Sequence, residues 1–400
     1  MNRREIETQL LTRISEVIPV IKKNNDLKNL HEAVFSSSRG KNLIVAMDYH
    51  EKEKMDAPAK YLLGLKEINR KYSELYIENL FLDCYNELLS NESRLNEYVK
   101  DIVDDLFTNK DKEYLIISEV DNIQINDDQE YEIIDAIIKI CTKEDIPFDI
   151  GMIKLPGMDI LKKPVIITRV KAGEKEKAKE IALHRFIVSF NLVRLYVPSF
   201  KLTMKGCLHS SIQSLIVYNE ADKSISADMN RIGDTPLNRA NMSSELYKKM
   251  LDSGIAELKK ENTISKVVKE CLYWYGLGLD EKDPAARLVN FVTVLESSLK
   301  KKGETTELRR TVSERGAILL NDKFEERKSA FEHLKKIYDL RSKVVHTGVL
   351  IDNKDLASLA GGYARAVLIN LIEKSKEMNG DFDDFINYID DIKLGKDNNA

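Results

Sequence analysis

From about residue 240 to residue 378, apolar side chains recur at three- and four-residue spacing, the period of a helix that buries one face. A segment of that length with that pattern has to pack helix against helix. Six helices are expected, at 243–260, 264–278, 284–302, 306–320, 324–345 and 355–378. The stripe of the second is Ile264, Val267, Val268, Cys271, Leu272 and Tyr275, and that of the third is Leu288, Phe291, Val292, Leu295 and Leu299. The fifth carries Phe331, Leu334, Ile337, Tyr338, Val344 and Val345. Gly276-Leu277-Gly278 follows a helical run and reads as a helix stop, not a phosphate loop.

The preceding chain has a different texture. Residues 1–109 are mainly helical: Ile6, Leu10, Ile14, Ile18 and Ile21 mark a helix over 5–30, Leu43–Met47 reads as a short strand, and 58–107 as helix again. Residues 110–235 mix strand and helix signals. Strands are expected at Tyr114–Ile117, Ile123–Ile125, Pro164–Val170 and Leu195–Pro198, with a hairpin of Ser214–Tyr218 and Ser224–Asp228. Helices are expected at Ile133–Cys141 and Glu174–Phe190. Residues 379–400 read as an acidic, loosely held tail. The fold class is therefore α+β, a mixed α/β N-terminal region followed by an all-α bundle over 240–378.

The 400 residues include 62 basic and 66 acidic side chains, a net charge of −4, which excludes a broadly cationic nucleic-acid binder. The charge is uneven. Residues 231–378 hold 27 basic against 22 acidic side chains, whereas 379–400 hold 2 against 6. Lys300-Lys301-Lys302, Arg309-Arg310 and Arg315 give the bundle a local basic face for which the acidic tail can compete. The four cysteines stand more than fifty residues apart, which excludes zinc knuckles and redox pairs and fits reduced thiols in the cytoplasm. No apolar run approaches the roughly 18 residues of a membrane span, and the N-terminus lacks the core of a signal peptide. Phosphate loops, HExxH and GxSxG are all missing. Cys207 and His209 lack the ligand count that zinc needs and read as a buried thiol and a loop histidine. His31, His50 and His184 need no special role, and no cofactor or metal site is expected.

Two charges interrupt the apolar stripes of the bundle. Glu296 lies one turn past Val292, and Arg341 three residues past Tyr338. Each needs a partner if buried, and each is the obvious partner of the other. Such a pair either holds the bundle together or orients Arg341 toward a cleft. The run Arg341-Ser342-Lys343-Val344-Val345-His346-Thr347-Gly348 favours the cleft, because Gly348 ends the helix and puts His346 in or beside its last turn. An arginine and a histidine without metal ligands can cleave RNA: the histidine moves protons at the 2′-hydroxyl or the leaving 5′-oxygen, and the arginine stabilises charge on the phosphate. Spacing alone decides little. With 18 arginines and six histidines, about one Arg-x4–6-His match arises by chance, and the chain holds two, Arg341–His346 and Arg327–His333. His333 falls off the apolar stripe in mid-helix and reads as solvated surface. On an ideal helix, five residues place His346 about 140° from Arg341, so the two converge only at a helix end or across two subunits.

In these stretches the chain resembles the HEPN superfamily, and within it the Apea-like HEPN domains. The resemblance covers about 245–378. It is carried by Ala285-Ala286-Arg287-Leu288-Val289-Asn290-Phe291-Val292-Thr293-Val294-Leu295-Glu296, by Glu314-Arg315-Gly316-Ala317-Ile318-Leu319-Leu320, by Ile337-Tyr338-Asp339-Leu340 leading into Arg341 and His346, and by Tyr363-Ala364-Arg365-Ala366. The resemblance implies a helical bundle that forms a homodimer with facing motifs. It also implies metal-independent endoribonuclease activity that leaves a 2′,3′-cyclic phosphate, used in antiphage abortive infection against cellular RNA such as tRNA. By that analogy Arg341 and His346 are catalytic, Ser342 is the polar residue expected after the arginine, and Glu296 is the supporting carboxylate. A non-catalytic dimeric module that binds RNA or a protein partner is the alternative. The unit Val165–Ala172 and its following helix resembles one found upstream of such bundles, which implies that the N-terminal region senses a phage or host trigger or selects substrate.

Overall fold

The computed structural model describes residues 2–22, 32–36, 42–46, 49–121, 123–125, 129–148, 160–198, 203–204, 212–231, 240–348, 354–378 and 380–395. His31, Cys207 and His209 lie outside the described residues. The chain is α+β. It forms two compact units, one of residues 1–116, 169–182 and 217–226, the other of 117–168, 183–216 and 227–400.

The first unit is built mainly from α1 (Arg3–Lys22), α2 (Tyr49–Leu63), α3 (Lys66–Lys71), α4 (Glu74–Ser90) and α5 (Leu95–Thr108), with a hairpin of β1 (Glu32–Ser36) and β2 (Asn42–Ala46) between α1 and α2 in sequence. α1 is described to Lys22, and the rest of the helix expected over 5–30 lies outside the described residues. Its stripe of Ile6, Leu10, Ile14, Val17 and Ile21 joins Leu62, Phe81, Tyr85 and Leu106 in one core. The expected helix over 58–107 is broken into pieces. Ser73 starts α4 by accepting a hydrogen bond from the Tyr76 N–H, an N-cap that replaces a missing backbone partner.

The strands β3 (Lys112–Asp121), β5 (Tyr131–Ile133), β6 (Ala136–Ile140), β7 (Pro164–Ala172), β9 (Ile212–Asn219) and β10 (Ile225–Arg231) lie in the order β10-β9-β3-β7-β6-β5, and β8 (Thr203–Met204) pairs with β3. Short β4 (Ile123–Ile125) pairs in parallel with β11 (Ala240–Met242). The expected hairpin at 214–228 forms. The helix expected over Ile133–Cys141 does not. That segment is the β5–β6 hairpin, with Ile133 opposite Ala136 and a turn at Ile134-Asp135. β-Branched residues favour the pleated surface, and Tyr131, Ile133, Ala136 and Ile138 are buried on it. The Thr168 hydroxyl donates to the Asp135 carbonyl at 2.7 Å and holds the turn. The strand expected at Leu195–Pro198 is also absent, because α6 (Lys175–Tyr196) continues through Leu192, Val193 and Leu195, all buried.

The bundle consists of α7 (Ser244–Asp252), α8 (Thr263–Asp280), α9 (Pro284–Leu299), α10 (Leu308–Leu320), α11 (Phe324–Thr347), α12 (Lys354–Lys374) and α13 (Phe382–Lys393). α13 replaces the expected loose tail. Its Phe382, Phe385, Ile386, Ile389 and Ile392 form a helical stripe and are buried, which offsets the cost of ordering an acidic segment.

Gly276 and Gly278 do not stop α8, which runs on to Asp280. They permit close approach instead. A Cβ on Gly276 would lie 2.0 Å from the Asn191 amide, and one on Gly278 would lie 2.5 Å from the Phe291 ring. Asn191 ends in a short, rotatable amide, whereas the Phe291 ring is fully buried. Gly278→Ala should therefore destabilise the protein by about 1–3 kcal/mol, the range for overpacking, and thermal unfolding checks it. An unchanged midpoint would mean that the ring has room to move.

Candidate active site

α9 begins cleanly: the Asp283 carboxylate accepts from the Ala286 N–H at 2.8 Å, and Pro284 occupies the first turn. Leu288, Phe291, Val292, Leu295 and Leu299 are buried as the pattern predicts, and they fix the rotation of α9 so that Glu296 faces α11. On α11 the core positions are Ala330, Leu334 and Ile337, while Val345 is 49% exposed. Arg341 falls within about 40° of that core direction.

Arg341 and Glu296 come together, with Nη2 3.5 Å from Oε2 and both side chains largely buried. The pair is under-satisfied: Arg341 Nε and Glu296 Oε1 are buried without hydrogen-bond partners among the described residues. A buried guanidinium edge left open costs free energy.

Tyr338 completes the cluster. The Arg341 guanidinium lies 5.9 Å from its ring centroid. Its hydroxyl is pushed up to about 12, first by burial and then by its hydrogen bond to the Glu296 carboxylate, so it stays protonated. Sequence reasoning placed Tyr338 only on the apolar stripe. The signal for a further role was its position three residues before Arg341.

His346 and Ser342 are not brought to this cluster. α11 stays helical through Thr347, and Gly348 caps it at φ +65° with its N–H on the Val344 carbonyl. His346 is in the last turn, as expected, but it is exposed and projects about 140° from Arg341. Ser342 is half-buried. Within one chain, a phosphate held by Arg341 is out of line with the His346 imidazole.

Two further expectations change, those for His333 and for the basic face. His333 is not solvated surface: it is half-buried, and its Nδ1 lies 3.1 Å from the Tyr363 hydroxyl on α12. His184 stacks on Tyr273 with ring centroids 5.9 Å apart. The basic face is partly consumed by structure. Arg315 is 6% exposed and gripped by Glu304 and Asp390, Lys301 also reaches Asp390, and Arg309 pairs with Asp339.

No group of three or more His, Cys, Asp or Glu side chains placed to hold a metal occurs among the described residues. No helix of the described residues is long and apolar enough to cross a membrane. Comparison with protein-family models, with curated proteins and with solved structures found no match.

Proposed function

We propose that the chain is a metal-independent endoribonuclease of the HEPN type, assembled as a homodimer through the C-terminal bundle. The single observation that carries this reading is Arg341. It is anchored by Glu296 yet leaves a buried N–H without an acceptor, and a phosphate oxygen would supply one. His346 is displayed at the exposed end of the same helix. Because the two project apart, the working site needs a second copy, whose α11 supplies the complementary residue.

Phe324 and Val345, 73% and 49% exposed, lie near the two ends of α11 and leave apolar surface there for such a partner.

The chemistry proposed is intramolecular transesterification. His346 takes the proton of the 2′-hydroxyl, whose oxygen attacks phosphorus. The bond to the 5′-oxygen breaks and the proton that His346 took is delivered to the departing oxygen, leaving a 2′,3′-cyclic phosphate, a 5′-hydroxyl and a regenerated imidazole. Arg341 stabilises the negative charge that builds on the non-bridging oxygens, while Tyr338 and Glu296 hold Arg341 in place. Defence by damage to cellular RNA, with tRNA as a candidate and a trigger sensed by the N-terminal region, is the biological setting proposed.

Purified protein should cleave RNA in EDTA and sediment as a dimer at micromolar concentration. A monomer that cleaves with full Arg341 dependence would overturn the facing-motif arrangement. One observation favours a second reading, a non-catalytic dimeric module: Arg341 already has a carboxylate partner within its own chain. RNA affinity without cleavage would select it.

A further inference from the structure

A half-open cavity of about 250 Å³ lies between α2 and α4 in the first unit. Its floor is apolar, made by Met55, Ala59, Phe81, Leu82 and Tyr85, each at most 9% exposed. The Tyr85 hydroxyl does not add polarity there, because it donates to the Met55 carbonyl at 3.0 Å. Charge is confined to the rim, where Lys52, Asp56 and Lys60 come from α2 and Glu74 and Glu78 from α4.

The rim is unbalanced. Lys60 pairs with Asp56 at 3.3 Å, which leaves Glu74 and Glu78 facing Lys52. These two glutamates are four residues apart on one face of α4, where like charges repel. The Glu78 carboxyl is raised above its ordinary range, by burial first and then by Glu74 and Asp56, with Lys52 only partly opposing them. The site is therefore short of positive charge beside an apolar floor.

We propose that this cavity binds a small aralkyl primary amine, with its ring on the Met55–Phe81–Tyr85 floor and its ammonium between Glu74 and Glu78. Size supports the class: a cavity of about 150 Å³ already holds benzene, so 250 Å³ takes a ring plus a two-carbon aminoalkyl arm. Neither end alone specifies it. An anion is repelled by the rim, and a hydrophilic polyamine gains nothing from the floor. The proposal is independent of the RNA-cleavage reading, since it concerns another unit and its readout is binding.

The test uses the full chain and three probes of matched shape: 2-phenylethylamine, 2-phenylethanol and phenylacetate, followed by calorimetry or ligand-observed NMR. The amine should bind about 5- to 10-fold more tightly than the alcohol, the gain of two part-exposed ion pairs, and phenylacetate should not bind. Glu74→Gln with Glu78→Gln should remove that preference and leave alcohol binding unchanged. Lys52→Met should tighten amine binding, because it removes a competing ammonium. All of these positions lie on the rim, so the variants retain the fold, and circular dichroism checks this. Equal binding of amine and alcohol, amine binding unaltered in the double variant, or no amine binding at about 10 mM, far above what a well-fitted ligand of this size needs, would each overturn the proposal.

Discussion

His346→Ala should lower EDTA-resistant RNA cleavage by about 10²–10⁴-fold, the range for losing a general acid–base group, with no measurable change in stability. The two halves of that expectation belong together. His346 is exposed in the last turn of α11, so truncating it removes no buried contact, and surface changes of that kind fall within about 0.5 kcal/mol. A loss of cleavage at constant melting temperature therefore reports chemistry and not folding. Sequencing RNA ends after expression of the wild type beside His346→Ala would show both the activity and its target. Equal cleavage by the variant would remove His346 from the site and with it the proposed mechanism. Arg341→Ala is a poorer first test, because it also strips Glu296 of its partner.

The largest effect on stability is expected at Arg315. Its guanidinium donates from Nε and Nη2 to the two oxygens of Asp390, at 2.9 and 3.1 Å, and from Nη1 to Glu304 at 2.7 Å and to the Leu299 carbonyl at 2.9 Å. It thereby ties α13 and the α9–α10 connection to α10. Arg315→Ala should cost about 3 kcal/mol, the low end for breaking a buried pair, because Glu304 and Asp390 keep a quarter to a third of their exposure and water screens them. That cost corresponds to a fall in melting temperature of roughly 6–12 °C for a unit of this size. Lysine should recover little of it, since an ammonium cannot make the forked contact.

The same cluster sets an acid limit. Burial alone would raise the Asp390 and Glu304 carboxyls, but their hydrogen bonds with Arg315 bring both below their ordinary values. In the unfolded chain they take up protons near pH 4. Their contribution is thus complete above that pH and is lost as pH falls through the lower folded values. Arg315→Ala should flatten this acid-side slope in unfolding measured from pH 5 down to 3.

Much of the bundle was legible because its helices have one buried face. The stripe of α9 could be read residue by residue, and that of α8 at every position but Val267, which is only half-buried, and Glu296 and Arg341 stood out as charges on apolar faces. In α13 the acidity masks the period: Phe382, Phe385, Ile386 and Ile389 carry the same helical spacing among five aspartates. The β5–β6 hairpin was hidden for another reason. Its turn is Ile134-Asp135 and lacks the glycine or asparagine that marks such turns. Ile134 adopts φ +55° there, a conformation costly for a β-branched residue that local sequence does not foretell. The direction of His346 depended on whether α11 stopped before or after it, a matter of one residue in the placing of Gly348.

Phe291 sits where three helices meet. One edge of its ring faces Gly278 of α8 and the other faces Gly361 of α12, where an added Cβ would come within 2.5 and 2.8 Å. The three positions are consequently not free to vary one at a time. Either glycine gains a methyl group at least cost on a background in which the ring has already shrunk, while a smaller residue at 291 is tolerated best when a glycine has grown to refill the void. The helix junction thus imposes an order on mutational paths, and descendants of this chain are expected to change these sites as a set.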